Sequence, residues 1–308
     1  MKSSLPKISA IITTYNSRAT IQRVIDSLKK QEGINVKFEI EIIIIDDCST
    51  DETLEIISSN NLDFISTGTN SGGPNKGRNL GLKKATGDYI CIVDHDDEWH
   101  PYKILKLLPY FKNTHIVTSG FIISDSKTGK KSTIINQCDN KNSYILFEKN
   151  STFINKLCRN NKGQNTYLGS IMYSKHLKHI LFEEKFGMID YDWLLKLFYN
   201  QSSIEVCEAL YTRYVHGINL SLNENYRLND YNYSIEMVQD YKQKYPKEVS
   251  QSVKKINGSL ARYYYLVSNM PKARHYFLKA DFSLKTMLYF LTSFIGADFV
   301  KKKFNVFG

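Results

Sequence analysis

The stretch IVDHDDEWHP, residues 92–101, sets Asp94, Asp96, Asp97 and Glu98 within five positions, directly behind an apolar run. Carboxylates crowded this closely repel one another. They are also hard oxygen donors of the kind that hold a divalent cation whose shell is completed by waters and substrate phosphates. A cation bound there would remove the repulsion. His95, between the acids, reads as structural or outer-shell, because hard Mg2+ prefers oxygen. A second acidic stretch, IIIIDDCSTDET, puts Asp46 and Asp47 immediately after a β-branched run. An aspartate in that position can accept hydrogen bonds from a ring N–H or from sugar hydroxyls. Asp51 suits a helix cap, and Asp47 suits a ligand. In TNSGGPNKGRNLG, residues 69–81, glycines and asparagines form a turn able to approach a ligand closely. The stretch matches neither GxxxxGK[ST] nor GxGxxG, so it supports neither an ATP P-loop nor a dinucleotide fingerprint. Lys76 and Arg78 are the cations of that turn and could meet a diphosphate.

These stretches need elements to hold them. ISAIIT (8–13), IEIIII (40–45) and DYICIVD (88–94) read as strands buried on both faces of a parallel sheet. SRATIQRVIDSLKKQ spaces Ile21, Val24, Ile25 and Leu28 as one helix face. STDETLEIISSNN begins a second helix with Ser49 or Thr50 as its cap, and GRNLGLKKATG a third, with Gly87 as its stop. Alternating strands and helices make a doubly wound α/β plan, in which ligands bind at the carboxyl ends of the strands. Tyr15, Asp46, Asp47 and Asp94 all fall at those ends. Further on, HIVTSGFIIS and IEVCEALYTRYVHG are strand candidates around a helix at YDWLLKLFYN, and from about Tyr226 the chain reads as helices. The expected division is 1–225 for the α/β domain and 226–308 for a basic helical region.

In this order the motifs ISAIITTYN, IIIDDCSTD and GRNLGLKKATGDYICIVDHDDEWHP resemble the N-terminal half of family 2 glycosyltransferases. That resemblance covers residues 7–101 closely. It implies the GT-A fold: a Rossmann-like, mostly parallel sheet with flanking helices, here followed by a C-terminal helical region. It also implies an inverting, metal-dependent transfer of a sugar from a nucleotide-sugar donor, a UDP-sugar, to a hydroxyl of a glycan or lipid-linked acceptor. By the resemblance, Thr13, Tyr15 and Asp47 contact the base, Asp94 and Asp96 the ribose and diphosphate, and Asp96 or Asp97 the metal, Mn2+ or Mg2+. Arg78 and Asn79 match the family's Arg-Asn pair. FEEKFGMIDYDWLLKL is similar to the family stretch that carries the catalytic base. Asp190 stands in the base position, Ile189 replaces the usual glutamate, and Asp192 competes for the role. YTRYVHGINLS brings His216 toward the diphosphate or metal, and YLGSIMYS makes Gly169 and Ser170 the acceptor-side turn. Chemically, Asp190 would deprotonate an acceptor hydroxyl that attacks the anomeric carbon in a single displacement.

The formal charge of +10 is not a nucleic-acid signal, because residues 242–308 hold 13 Lys/Arg against 3 Asp/Glu and the preceding 241 residues balance. In FSLKTMLYFLTSFIGADFVKKKF, residues from Leu284 to Phe299 recur at helical spacing ahead of Lys301, Lys302 and Lys303. Such a helix suits an anionic membrane surface, and its apolar stretch is short of the roughly 20 residues that span a bilayer. Five scattered cysteines without a CxxC pair argue against a disulfide framework and for a reducing compartment. With no signal-peptide pattern at the N-terminus, these features give a cytoplasmic protein, peripheral at the inner face of the cell membrane. Two rival functions remain. A phosphohydrolase with an aspartate nucleophile wants DxDx[TV], which DDCSTD does not supply. A non-enzymatic basic module leaves the acidic stretch unexplained.

Overall fold

β1, Lys7–Thr14, lies at the middle of the sheet, buried along its length from Ile8 onward. Its even residues Ile8, Ala10 and Ile12 pack in one cluster with Ile21, Val24, Ile25 and Leu28 of α1 (Ile21–Lys29) and Ile57 of α2 (Thr53–Ser59). Its odd residues face α3, Asn75–Lys84. Gly81 comes so close to Ile11 there that a Cβ would collide with it, and at Gly77 a Cβ would lie 2.9 Å from the Thr13 methyl. Strand alternation thus sends helices to both faces, as a doubly wound sheet requires.

The computed structural model describes residues 5–138, 143–160, 163–215 and 224–298. They fall in two compact units, Met1–Phe153 with Lys162–Gly217, and Ile154–Asn161 with Ile218–Gly308. In the first unit, β1 pairs in parallel with β2 (Glu39–Asp46) and β4 (Tyr89–Asp94), and β2 with the short β3 (Phe64–Ser66). After β5 (Glu98–Trp99) and α4 (Lys103–Leu107), the sheet becomes mixed through β6 (Ile116–Asp125), β7 (Lys131–Ile134) and β8 (Tyr144–Phe147). It is completed, past α5 (Ser151–Leu157), by β9 (Met172–Ser174), α6 (Tyr191–Phe198) and β10 (Ser203–Val215). The strand order is β3-β2-β1-β4-β9-β6-β10-β5, with β7 on β6 and β8 on β10. Antiparallel β9 joins the parallel half to the parallel pair β6 and β10.

The second unit is helical: α7 (Glu224–Val238), α8 (Pro246–Leu266), α9 (Met270–Phe277) and α10 (Leu284–Thr292). Tyr263, Tyr264, Tyr265, Phe277 and Tyr289 form the centre of its own core. Among the described residues no helix is long and apolar enough to cross a membrane.

Four local expectations change. α2 begins at Thr53, whose backbone N–H donates to Asp51 Oδ1 at 3.1 Å, because Ser49 and Thr50 are engaged by Asp46 and Asn16. α3 ends at Lys84 and Gly87 lies beyond it, where a Cβ would come within 2.7 Å of Ser9 N. α10 stops at Thr292, ahead of Gly296 with its φ of +86°, so Phe294 and Ile295 lie past the helix; Phe299 and Lys301–Lys303 are outside the described residues. Cys138 and Cys207 are joined in a disulfide, leaving Cys48, Cys91 and Cys158 as thiols.

Candidate active site

The parallel register sets Thr13 beside Ile45 and Asp94, so β1, β2 and β4 end at one level. Their carboxyl ends bring together Thr13, Tyr15, Asp46, Asp47 and Asp94. Thr13 is nearly buried, whereas Tyr15 is 47% exposed and presents its ring at this edge. Asp46 is sealed and accepts from the Ser49 backbone N–H at 2.9 Å and the Ser49 hydroxyl at 2.5 Å. Asp47, partly exposed, accepts from the Thr67 hydroxyl at 2.7 Å and from Ser71 N–H at 3.0 Å. It therefore organises the 67–71 loop beside any ligand at this edge. Lys76 donates to the Thr67 carbonyl at 2.9 Å and holds the same loop.

The acidic turn after β4 carries its own compensation. Arg78 is 5% exposed; its Nη2 donates to Asp94 Oδ1 at 2.9 Å and its Nη1 to Asn75 Oδ1 at 3.0 Å. It would thus act on a donor by orienting Asp94. Arg23 donates to the Asp96 carbonyl at 2.7 Å and lies 3.8 Å over the Tyr214 ring. Lys103, fully buried, donates to the Gly169 carbonyl and sits 4.4 Å over Trp99. Burial pulls its ammonium down to about 8, against the opposing influence of Cys91 and Asp97. Burial, then the charges of Asp94 and Asp96, push the Asp97 carboxyl well above the usual range, although Arg213 and Lys103 pull the other way. The repulsion in this stretch is thus relieved in part by the surrounding cations Arg78, Arg23, Lys103 and Arg213. His95 meets Thr20 Oγ1 at 3.3 Å.

α3 links this edge to the segment that carries Asp190. Asn75 donates to Glu183 Oε1 at 3.2 Å and to the Ile189 carbonyl at 2.9 Å. Asn79 both donates to the Phe182 carbonyl and accepts from Phe182 N–H, each at 2.9 Å. Glu183, 8% exposed, accepts the backbone N–H groups of Phe186, Met188 and Ile189 at 2.7–3.2 Å. Asp190 follows at the N-cap of α6 and is exposed. Asp192 is fully buried and paired with Lys196 at 3.0 Å. On the acceptor-side turn, Gly169 lies against Asp97, where a Cβ would be 2.9 Å from Asp97 Oδ2. Ser170 is fully buried with its hydroxyl on the Tyr167 carbonyl at 2.6 Å, so Tyr167, 46% exposed, is the side chain this turn presents. His176 is exposed on the short 3-10 turn Lys175–Leu177, and His179 is exposed just past it. His216 lies outside the described residues.

Residues 9–181, more than half the chain, match the family described as Glycosyl transferase family 2. The chain belongs to this family. Among its relatives is the poly(ribitol-phosphate) beta-N-acetylglucosaminyltransferase TarS of Staphylococcus aureus, 45% identical over 95 residues that make up 30% of this chain and 16% of that protein. A poly(ribitol-phosphate) beta-glucosyltransferase of Bacillus spizizenii is 43% identical over 96 residues, 30% of this chain and 15% of the relative. The chain thus spans about a sixth of the length of these two relatives. A crystal structure of S. aureus TarS in complex with UDP shares the fold with a TM-score of 0.57 and 21% identity, covering 96% of this chain and 91% of that one. A mannosyltransferase from Pyrobaculum calidifontis in complex with GDP-Man and Mn2+ gives a TM-score of 0.58 at 14% identity, covering 98% of this chain and 82% of the other. The fold is the GT-A arrangement expected from the sequence.

Within this family frame, the acidic turn suits a hard cation by its donor chemistry. Asp96 is partly exposed, and one or two carboxylates suffice where phosphates and waters complete the shell. Among the described residues no group of three His, Cys, Asp or Glu side chains is assembled for a metal. The sequence reading missed Lys103, Glu183 and Tyr167. Lys103 left a trace, a lysine on the same helix face as Ile104 and Leu107, whereas the role of Glu183 depends on a turn whose backbone donors no local pattern reveals.

Proposed function

We propose that this chain is an inverting, metal-dependent glycosyltransferase that moves a sugar from a UDP-sugar to a hydroxyl of a glycan or lipid-linked acceptor in polysaccharide assembly. The convergence of Tyr15, Asp47 and Asp94 at one sheet edge, tied through α3 to the segment bearing Asp190, carries the reading. Relatives named as N-acetylglucosaminyl- and glucosyltransferases, and structures holding UDP or UDP-GlcNAc, support a uridine-linked hexose or N-acetylhexosamine. Asp190 takes the acceptor proton, since it is exposed where Asp192 is sealed against Lys196. Thr13, Tyr15 and Asp47 receive the base, Asp94 and Asp96 the ribose and diphosphate, and Arg78 steadies Asp94. Asp96 and Asp97, with His216 as the further ligand the family resemblance implies, would hold Mn2+ or Mg2+. A cation bound there neutralises charge on the departing diphosphate. Gly169 and the exposed Tyr167 border the acceptor. Asp46, sealed by Ser49, offers no nucleophile for a phosphohydrolase.

The protein works in the cytoplasm at the inner membrane face, held by its basic C-terminal region. The Cys138–Cys207 bond pulls toward an oxidising compartment. A thiol count on protein isolated from its own cell tests this: five thiols agree with the cytoplasm, three contradict it. The function itself is tested by incubating the protein with UDP-sugars and an acceptor glycan and recording the anomeric configuration of the product by NMR. Inverted product with stoichiometric UDP is expected. Retained configuration, or phosphate released from a phosphomonoester, would overturn the reading.

A further inference from the structure

The helical unit contains a cleft of about 380 Å3 that the transfer reaction does not use. Arg159, Lys255, Arg262 and Lys285 line it, with Asp281 the lone carboxylate, so the lining carries a charge of +3. Among the described residues, Lys255, Arg262 and Lys285 make no salt bridge with an acid. Lys255 donates to the Arg159 carbonyl at 3.2 Å and Asn160 Oδ1 at 2.8 Å, and Arg159 donates to the Ser234 hydroxyl at 2.8 Å. Arg262, half-buried, makes no hydrogen bond or salt bridge among the described residues, and burial pulls its guanidinium below the ordinary value. The start of α10 also opens here, with Ser283 as its cap and Thr286 bonded to Asp281 at 3.0 Å. Four cations, hydroxyls and a helix N-terminus together supply the donors an oxyanion would need.

The cleft borders an apolar surface. Phe282 and Leu284, on either side of Ser283, are 82% and 74% exposed, and Leu288, Leu291, Phe294 and Ile295 continue the exposed apolar run. A phosphate site flanked by exposed aliphatic and aromatic side chains matches the chemistry of an anionic phospholipid, with its charged head beside its acyl chains. A soluble phosphate would need no such rim.

We infer that this cleft seats the phosphate of an anionic lipid headgroup while Phe282, Leu284 and the outer face of α10 enter the acyl boundary. The inference rests on the membrane attachment proposed above and assigns it a headgroup-specific site. The test is flotation of the full chain with vesicles of phosphatidylcholine alone or with 30% phosphatidylglycerol (an order-of-magnitude anionic content of about a third). Wild type should float with the anionic vesicles only. The double variant Arg262→Gln/Lys285→Gln should partition at least tenfold more weakly, whereas Lys279→Gln together with Lys247→Gln, the same charge change outside the cleft lining, should partition like wild type. Lys285 is exposed and its single variant folds irrespective of Arg262, so Lys285→Gln alone, expected to weaken partition severalfold, keeps the test clear of misfolding. Equal partition of cleft and control variants would overturn the headgroup site and leave membrane attachment standing. Flotation with neither vesicle would overturn both. Calorimetric binding of glycerol phosphate without vesicle binding would assign the cleft to a soluble ligand, and concentration-dependent self-association abolished by Leu284→Ser would assign the apolar face to a second copy; either contradicts the inference.

Discussion

Asp190 and Asp192 are two residues apart and physically unlike. Asp190 is exposed at the start of α6, while Asp192 is buried in a pair with Lys196, whose side chain is half-exposed. A base must reach the hydroxyl it deprotonates, and a sealed carboxylate committed to a lysine does not. Asp190→Asn should therefore lower turnover by about 10²–10⁴-fold with UDP affinity unchanged, read by comparing calorimetric titration with steady-state rates. Asp192→Asn should lower the melting temperature and leave turnover within a few-fold. Residue types and spacing made the acids of the site legible, because a carboxylate directly after a buried strand has few purely structural uses. They did not show what each acid does. Asp94 binds Arg78 and Asp47 binds the 67–71 loop, both through partners distant in sequence, and burial pushes the Asp97 carboxyl above its usual range.

The strands and helices around β1 were readable because their apolar runs and helical spacing are long and regular. β3 is only three residues long, and β9 and the 182–190 segment are short or irregular, so their positions depend on pairing and on side-chain to backbone bonds that lie far apart in the chain. Glu183 is the main post of that segment. Glu183→Ala would leave three backbone N–H groups without their acceptor, which should cost about 1–3 kcal/mol. The resulting displacement of Asp190 should lower kcat about 10²-fold without changing the Kd for UDP. Glu183→Gln, which keeps an acceptor oxygen, should restore most of the rate. A loss of donor affinity equal to the loss of rate would contradict the positioning role. At the opposite end of the strands, burial disfavours the Glu41 carboxylate, but Lys7, Ser9 and Thr86 hold it down to about 2. Because the folded value lies below the ordinary 4.5, the stability it contributes is complete above about pH 4.5 and is lost as pH falls toward 2. Urea midpoints measured across that window should fall steeply for wild type and more gently for Glu41→Gln.

Across the molecule, charge and chemistry are separated. The sheet unit holds the acidic edge, and the excess positive charge belongs to the last quarter of the chain, three of whose cations gather with Arg159 at one cleft. The charge split could be counted from the sequence, but the cleft could not, because it joins Arg159 to residues a hundred positions later. The account as a whole depends on a nucleotide-sugar site at the acidic edge, so calorimetry of UDP with and without Mn2+, on wild type and Asp96→Ala, tests it most directly. The expected result is UDP binding that requires Mn2+ and is lost in Asp96→Ala, with GDP, dTDP and ADP binding at least tenfold more weakly. UDP binding that is indifferent to Mn2+ and to Asp96→Ala, or no binding of any of the four, would contradict it.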